Sequence, residues 1–149
     1  MNWSSLLYIP FLVQACVISF DEFYFHIKRG LPRWERIGHP LDTFSLVLCL
    51  AFVIFFSYSK ALIFPFVVLG TFSCLLVTKD EFVHKEHCNA KEQWLHALLF
   101  LNHPLVLISM GLMWGQGRHF IPFLTLQLVF VVFFCLYQII YWNLVWKEK

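Results

Sequence analysis

Five long apolar stretches, separated by short polar segments, leave this chain few ways to fold. They run over about 3–20, 43–57, 61–78, 95–114 and 120–146. A helix of roughly 20 apolar residues spans the ~30 Å hydrocarbon core of a bilayer. Inside lipid every backbone N–H and C=O needs a partner within the protein, so the stretches are expected as helices. Only 13% of the 149 residues are charged and 60% are hydrophobic, where a soluble domain carries about a quarter charged. The expected fold is an all-α integral membrane domain covering 1–149, with about five transmembrane helices. Pro10 and Pro104 fall inside spans, where neighbouring helices can satisfy the carbonyls they free. The first two stretches are short, so their helices are expected to continue into the adjoining polar segments.

Basic residues near span ends set orientation. Nine of the eleven lie on one side: Lys28, Arg29, Arg33 and Arg36 after the first span, Lys79, Lys85 and Lys91 after the third, and Lys147 and Lys149 at the end. Lys60 and Arg118 fall on the other. This places the N-terminus outside, with both polar segments and the C-terminus cytoplasmic; a bacterial inner membrane is the expected location. The start, Met1-Asn2-Trp3-Ser4-Ser5, has no basic residue and no Ala-x-Ala follows, so the first span is expected to be retained rather than cleaved as a signal peptide. Cys16, Cys49, Cys74, Cys88 and Cys135 form no Cys-x-x-Cys pair and sit mostly in apolar runs. They read as small hydrophobes.

The two polar segments repeat each other. One reads Asp21-Glu22-Phe23, His26, then Glu35-x-x-x-His39; the other reads Asp80-Glu81-Phe82, His84, His87, then Glu92-x-x-x-His96. Both copies fall at the same place in a helical hairpin. The expectation is two like hairpins, about 3–57 and 61–114, forming a four-helix bundle related by an axis along the membrane normal. The helix at about 120–146 would be an addition to that bundle.

These segments hold every carboxylate except Glu148 and five of the seven histidines. Clustered acids repel one another, and burial beside apolar spans disfavours their charged form, so something must bind them. Residues three, four and seven apart share a helix stripe. Glu22 with His26, Asp80 with His84 and His87, Glu35 with His39 and Asp42, and Glu92 with His96 each meet that spacing. Each hairpin thus offers an acid at the end of one helix and an acid-plus-histidine stripe at the start of the next. This is the ligand logic of carboxylate-bridged two-metal helical proteins, with Glu-x-x-x-His in place of their usual Glu-x-x-His.

The expected metal ligands are Asp21, Glu22, His26, Glu35, His39, Asp80, Glu81, His84, His87, Glu92 and His96, with Asp42 and His103 behind them. Mixed oxygen and imidazole donors suit iron first, then manganese or zinc, and the ligand supply suggests two ions. The competing reading is that polar residues near helix ends only cap, snorkel or form ion pairs. Lys28, Arg29, Arg33 and Arg36 could neutralise the first cluster without metal. His103, next to Pro104, is read as either functional or bonded to a carbonyl freed by the proline. His119 falls on the opposite side and is expected to be solvated. Trp34, Trp94, Trp114, Tyr141 and Trp142 read as an aromatic belt. Gly111 and Gly115 have the spacing of a close helix contact.

Among function classes, nucleotide hydrolysis and nucleic-acid binding are set aside. There is no Gly-rich phosphate loop, no nucleophile elbow, and no basic stripe with stacking aromatics. The leading expectation is a membrane-embedded metalloenzyme that hydroxylates or desaturates a lipid-like substrate, served by an electron-donor protein. Alternatives are a metal-dependent lipid hydrolase using metal-activated water, a metal or proton transporter, and a metal-binding or purely structural accessory subunit. The orientation is testable: cysteines introduced at Ser59 and Gly117 should react with impermeant reagents only from outside. Labelling from the cytoplasmic side alone would invert the topology.

Overall fold

The computed structural model describes residues 3–80 and 88–147. Among these the chain is helical, without a strand. Five helical runs are long and apolar enough to cross a membrane: α1 (Trp3–Arg29), α2 (Arg33–Phe55), α3 (Lys60–Val77), α4 (Ala90–Gln116) and α5 (Arg118–Val145). As expected, the first two extend through the polar segment between the apolar stretches.

Local chemistry explains where the runs break and widen. In α1 a short turn over Trp3–Leu6 gives way to a helix that restarts at Ile9. Pro10 sits in its first turn, where the N–H it lacks would be unused. The helix then widens into π-helical geometry over Asp21–His26, with the Ile27 N–H reaching back to the Glu22 carbonyl. Gly30, at φ 78°, ends the run. An L side chain is disfavoured there, and a Cβ would also meet the Trp146 ring at 2.6 Å. Pro32 then precedes α2 in extended conformation. At the start of α4, Asn89 accepts hydrogen bonds from the N–H groups of Lys91 and Glu92, a side-chain cap that fixes the turn carrying Glu92.

Helix α2 is central: it packs against α3, α4 and α5, while α1 and α3 both pack against α4. The C-terminal helix is thus tied closely to α2. Thr43 on α2 donates to Gln138 on α5 at 2.7 Å, both buried. Asn102 on α4 donates to the Pro10 carbonyl and to Gln14 on α1, at 2.9 Å each. The apolar core, including Cys49, Leu50, Val53, Met110, Met113 and Leu124, lies toward the ends of α2 and α4 remote from Asp21 and Glu92. Trp114 completes it by donating to the Phe56 carbonyl at 2.7 Å. The outward faces are apolar too, with Phe55, Phe64, Leu101 and Phe133 at least two-thirds exposed.

Two residues depart from the aromatic-belt expectation. Trp34 and Trp94 are exposed, but Trp114 and Trp142 are buried and spend their N–H groups inside the protein. The glycine expectation divides similarly. A Cβ on Gly111 would stand 3.0 Å from the Phe66 ring, whereas one on Gly115 would make ordinary contact with Tyr58.

Gly30→Ala should therefore lower stability by about 1–3 kcal/mol, through a strained φ and a clash with Trp146. Gly115→Ala should be neutral or slightly stabilising, since alanine favours the helix. Thermal unfolding of the two variants in detergent tests the contrast.

Candidate metal centre

His26 is the centre of the polar cluster, and the π-helical turn makes it so. In a regular helix, advancing 100° per residue, residues five apart face well away from one another. The wider turn brings Asp21 and Glu22 to the same imidazole. Glu22 Oε2 lies 3.0 Å from His26 Nδ1, and Asp21 Oδ2 lies 3.1 Å from His26 Nε2. Glu22 is itself held from α5: the Trp142 N–H donates to its Oε1 at 2.6 Å. A carboxylate only accepts, so Nδ1 is the protonated nitrogen and donates to Glu22. A neutral His26 then turns its Nε2 lone pair toward Asp21. Two acceptors 3.1 Å apart repel unless a proton or a metal ion lies between them. A histidine with one nitrogen bonded to a carboxylate and the other free to ligate is the usual posture of a metal ligand.

Two further helices, α4 and α2, bring groups near that nitrogen. His96 Nε2 lies 3.0 Å from the same Asp21 oxygen, and Glu92 Oε1 is 3.9 Å from His26 Nε2. Asp21, His26, Glu92 and His96 are all buried, and one ligand atom from each falls within 4.8 Å of the others. His26, Glu35 and His39 form a second group meeting the same criterion. The two groups are joined by Arg29, whose Nη2 donates to Glu35 Oε2 and to Glu92 Oε1 at 2.8 Å each. Its Nε also donates to Glu92, at 3.0 Å. Of the four buried carboxylates, Asp21, Glu22, Glu35 and Glu92, the Arg29 guanidinium meets Glu35 and Glu92. Buried charge of this kind demands compensating cations.

A cavity of about 440 Å³ adjoins the cluster, within the range of small-molecule sites. Asp21, Glu22, His26, His39 and His96 line one part of it; Phe11, Leu46, Leu50, Val106, Phe130, Val131 and Phe134 line much of the rest. The space can hold an apolar molecule against a polar, ligand-bearing patch.

Most of the sequence-derived site residues are brought together. Asp21, His26, Glu92 and His96 form one group, with Glu35 and His39 beside it. Glu22 stands behind His26 instead of facing the group, with both oxygens already engaged. Asp42 is bound by Lys79 through both carboxylate oxygens at 2.7 Å. His103 bonds to Ser73 through Nε2, not to a carbonyl freed by Pro104. His119 is exposed, away from the cluster. The side chain of Asp80, together with Glu81, His84 and His87, lies outside the described residues.

Sequence reasoning undervalued three contributors. Arg29 is the bridge between the two Glu-x-x-x-His stripes, not merely a neutralising neighbour. Cys88 lies 3.7 Å from Arg29 Nη2, and burial holds its thiol above the usual range. Trp142, read as a belt residue, anchors Glu22; nothing in its neighbourhood along the chain signals that role. Set against known protein families, characterised proteins and solved structures, the chain matches none.

Trp142→Phe keeps an aromatic ring, though a smaller one, and removes the N–H that donates to Glu22 Oε1. It should cost about 1–3 kcal/mol, the usual penalty for stripping a buried acceptor. Trp94→Phe, at an exposed position, should change stability by less than ~0.5 kcal/mol. Paired unfolding measurements check the difference.

Proposed function

We propose that this chain is a multi-pass membrane metalloenzyme that oxidises a lipid-like substrate, by hydroxylation or desaturation, at a carboxylate–histidine centre facing the cytoplasm. The observation that carries the reading is an apolar cavity ending on a buried cluster in which Glu22 and Trp142 orient His26 toward Asp21, Glu92 and His96. An acyl or isoprenoid chain matches such walls, and apolar substrate reaches them from within a bilayer.

Asp21, His26, Glu92 and His96 would hold the first ion. A second would fall to Glu35 and His39 and require Arg29 to release the two glutamates it bridges. Iron fits this donor set best, with manganese or zinc as alternatives. Bound there, iron would supply the redox chemistry for activating dioxygen, with electrons from a donor protein. The chain's own residues do the remaining work. Glu22 and Trp142 keep the His26 ring in place, Arg29 balances the acids not spent on metal, and the phenylalanine-rich walls exclude water from the reacting carbon.

One observation favours a second reading. Arg29 already places a cation between Glu35 and Glu92, as an ion-paired subunit that docks a partner would need. Metal content separates the two. Protein purified without chelator should carry at least about one transition-metal ion per chain by elemental analysis. Asp21→Asn and His96→Ala should lose most of it, and His119→Ala none. Metal loss of about 10–100-fold in affinity is also expected when Glu22 is changed to Gln, since orienting partners tune ligands to that degree. Metal-free wild type, or a His96 variant that keeps its metal in full, would sink the enzyme reading and leave the ion-paired subunit.

A further inference from the structure

His103 lies on α4 two turns beyond His96, lines the same cavity, and is only 3% exposed. Its Nε2 is 2.9 Å from Ser73 Oγ, which is 2.7 Å from Ser45 Oγ. Ser45 Oγ in turn donates to the Asp42 carbonyl at 2.7 Å. These bonds have only one consistent direction. A carbonyl accepts and a serine hydroxyl has a single proton, so Ser45 gives its proton to Asp42 and must accept from Ser73. Ser73 has then used its own proton and must accept from His103. The proton of a neutral His103 is therefore on Nε2, and Nδ1 carries a lone pair.

That Nδ1 is buried and has no hydrogen-bond partner among the described residues. Such an acceptor left unmet is costly, and native structures rarely tolerate it. It is not placed for metal: among the described residues, the groups with ligand spacing do not include His103. The cavity is the space from which a partner can come. Because the polarity of the Asp42–Ser45–Ser73–His103 chain is set from its carbonyl end, that partner must donate.

We propose that His103 Nδ1 recognises a hydrogen-bond-donating head group, a hydroxyl or an amide N–H, on an otherwise apolar substrate, and so determines which part of the molecule faces the metal cluster. The proposal rests on the reading of the cavity as a substrate site. At 1.5 Å rise per residue, the seven residues between His96 and His103 separate the two contacts by about 10 Å along α4. The head group is held at one point while a carbon well along the chain is presented to the cluster. Ser73 and Ser45 act as positioning residues, fixing the tautomer that accepts.

The test compares two probes in nanodiscs, with partitioning into empty discs subtracted: 1-dodecanol, and its methyl ether, which keeps the oxygen and the chain but cannot donate. Wild type should bind the alcohol about 5- to 10-fold more tightly, the worth of one net hydrogen bond. His103→Leu should bring the ratio close to one with ether affinity little changed. Ser73→Ala, which releases the tautomer without touching the ring, should give an intermediate ratio, and it decides the matter if the leucine variant fails to fold. Equal binding of alcohol and ether by wild type would overturn the proposal while leaving the cavity as a site for apolar molecules. Binding of neither probe would overturn both.

Discussion

A charge imbalance in a confined place governs this structure. Asp21, Glu22, Glu35 and Glu92 are drawn from three helices into one buried region beside an apolar cavity. Arg29 is the guanidinium that reaches two of them. Like charges in a low-dielectric surrounding repel strongly, so every nearby element is arranged to offset them. Gly30 lets α1 stop immediately after Arg29. Asn89 caps α4 so that Glu92 points inward. Trp142 donates to Glu22 from the far end of the chain. The face shared by Asp21, His26, Glu92 and His96 has ligand atoms close enough together that it could hold a metal ion, for the same electrostatic reason.

Widened helical geometry is how the chain builds that face. The π-helical turn over Asp21–His26 lets one imidazole touch residues four and five positions before it. A second such turn, Tyr141–Val145, carries Trp142 to Glu22. Such turns are less favourable than regular helix and persist where packing or function compensates. Here both converge on a single carboxylate. Regular helix in either place would break the contact between Trp142, Glu22 and His26, or turn Asp21 away from the ring.

The cavity has two chemically distinct polar regions. Near the ends of the helices it meets acids and imidazoles held by charge. Deeper, it meets His103, held by neutral hydrogen bonds through Ser73 and Ser45. Isolated polar residues in three otherwise apolar helices tend to find one another, because lipid and apolar side chains offer them nothing. That expectation could have joined Ser45, Ser73 and His103 from the sequence. The direction of their hydrogen bonds could not have been known without the Asp42 carbonyl at the end of the chain.

Hydropathy and charge by themselves determined the number and rough extent of the helices. Spacing determined that Glu35 with His39, and Glu92 with His96, share stripes. These are local properties: a 3.6-residue period and a run of apolar residues act wherever the chain goes. Whether the stripes meet is not local. That depended on how α1, α2 and α4 pack, and on Arg29 standing between Glu35 and Glu92. The choice of Asp21 over Glu22 as the residue facing His96 also lay beyond sequence, since it rests on a helical turn whose period departs from 3.6. So did the burial of Trp142, whose role exists only because α5 lies against α2 and brings its last turns to the end of α1. Periodicity is encoded residue by residue, whereas a buried cluster is set by the relative placement of several helices, which only the folded structure provides.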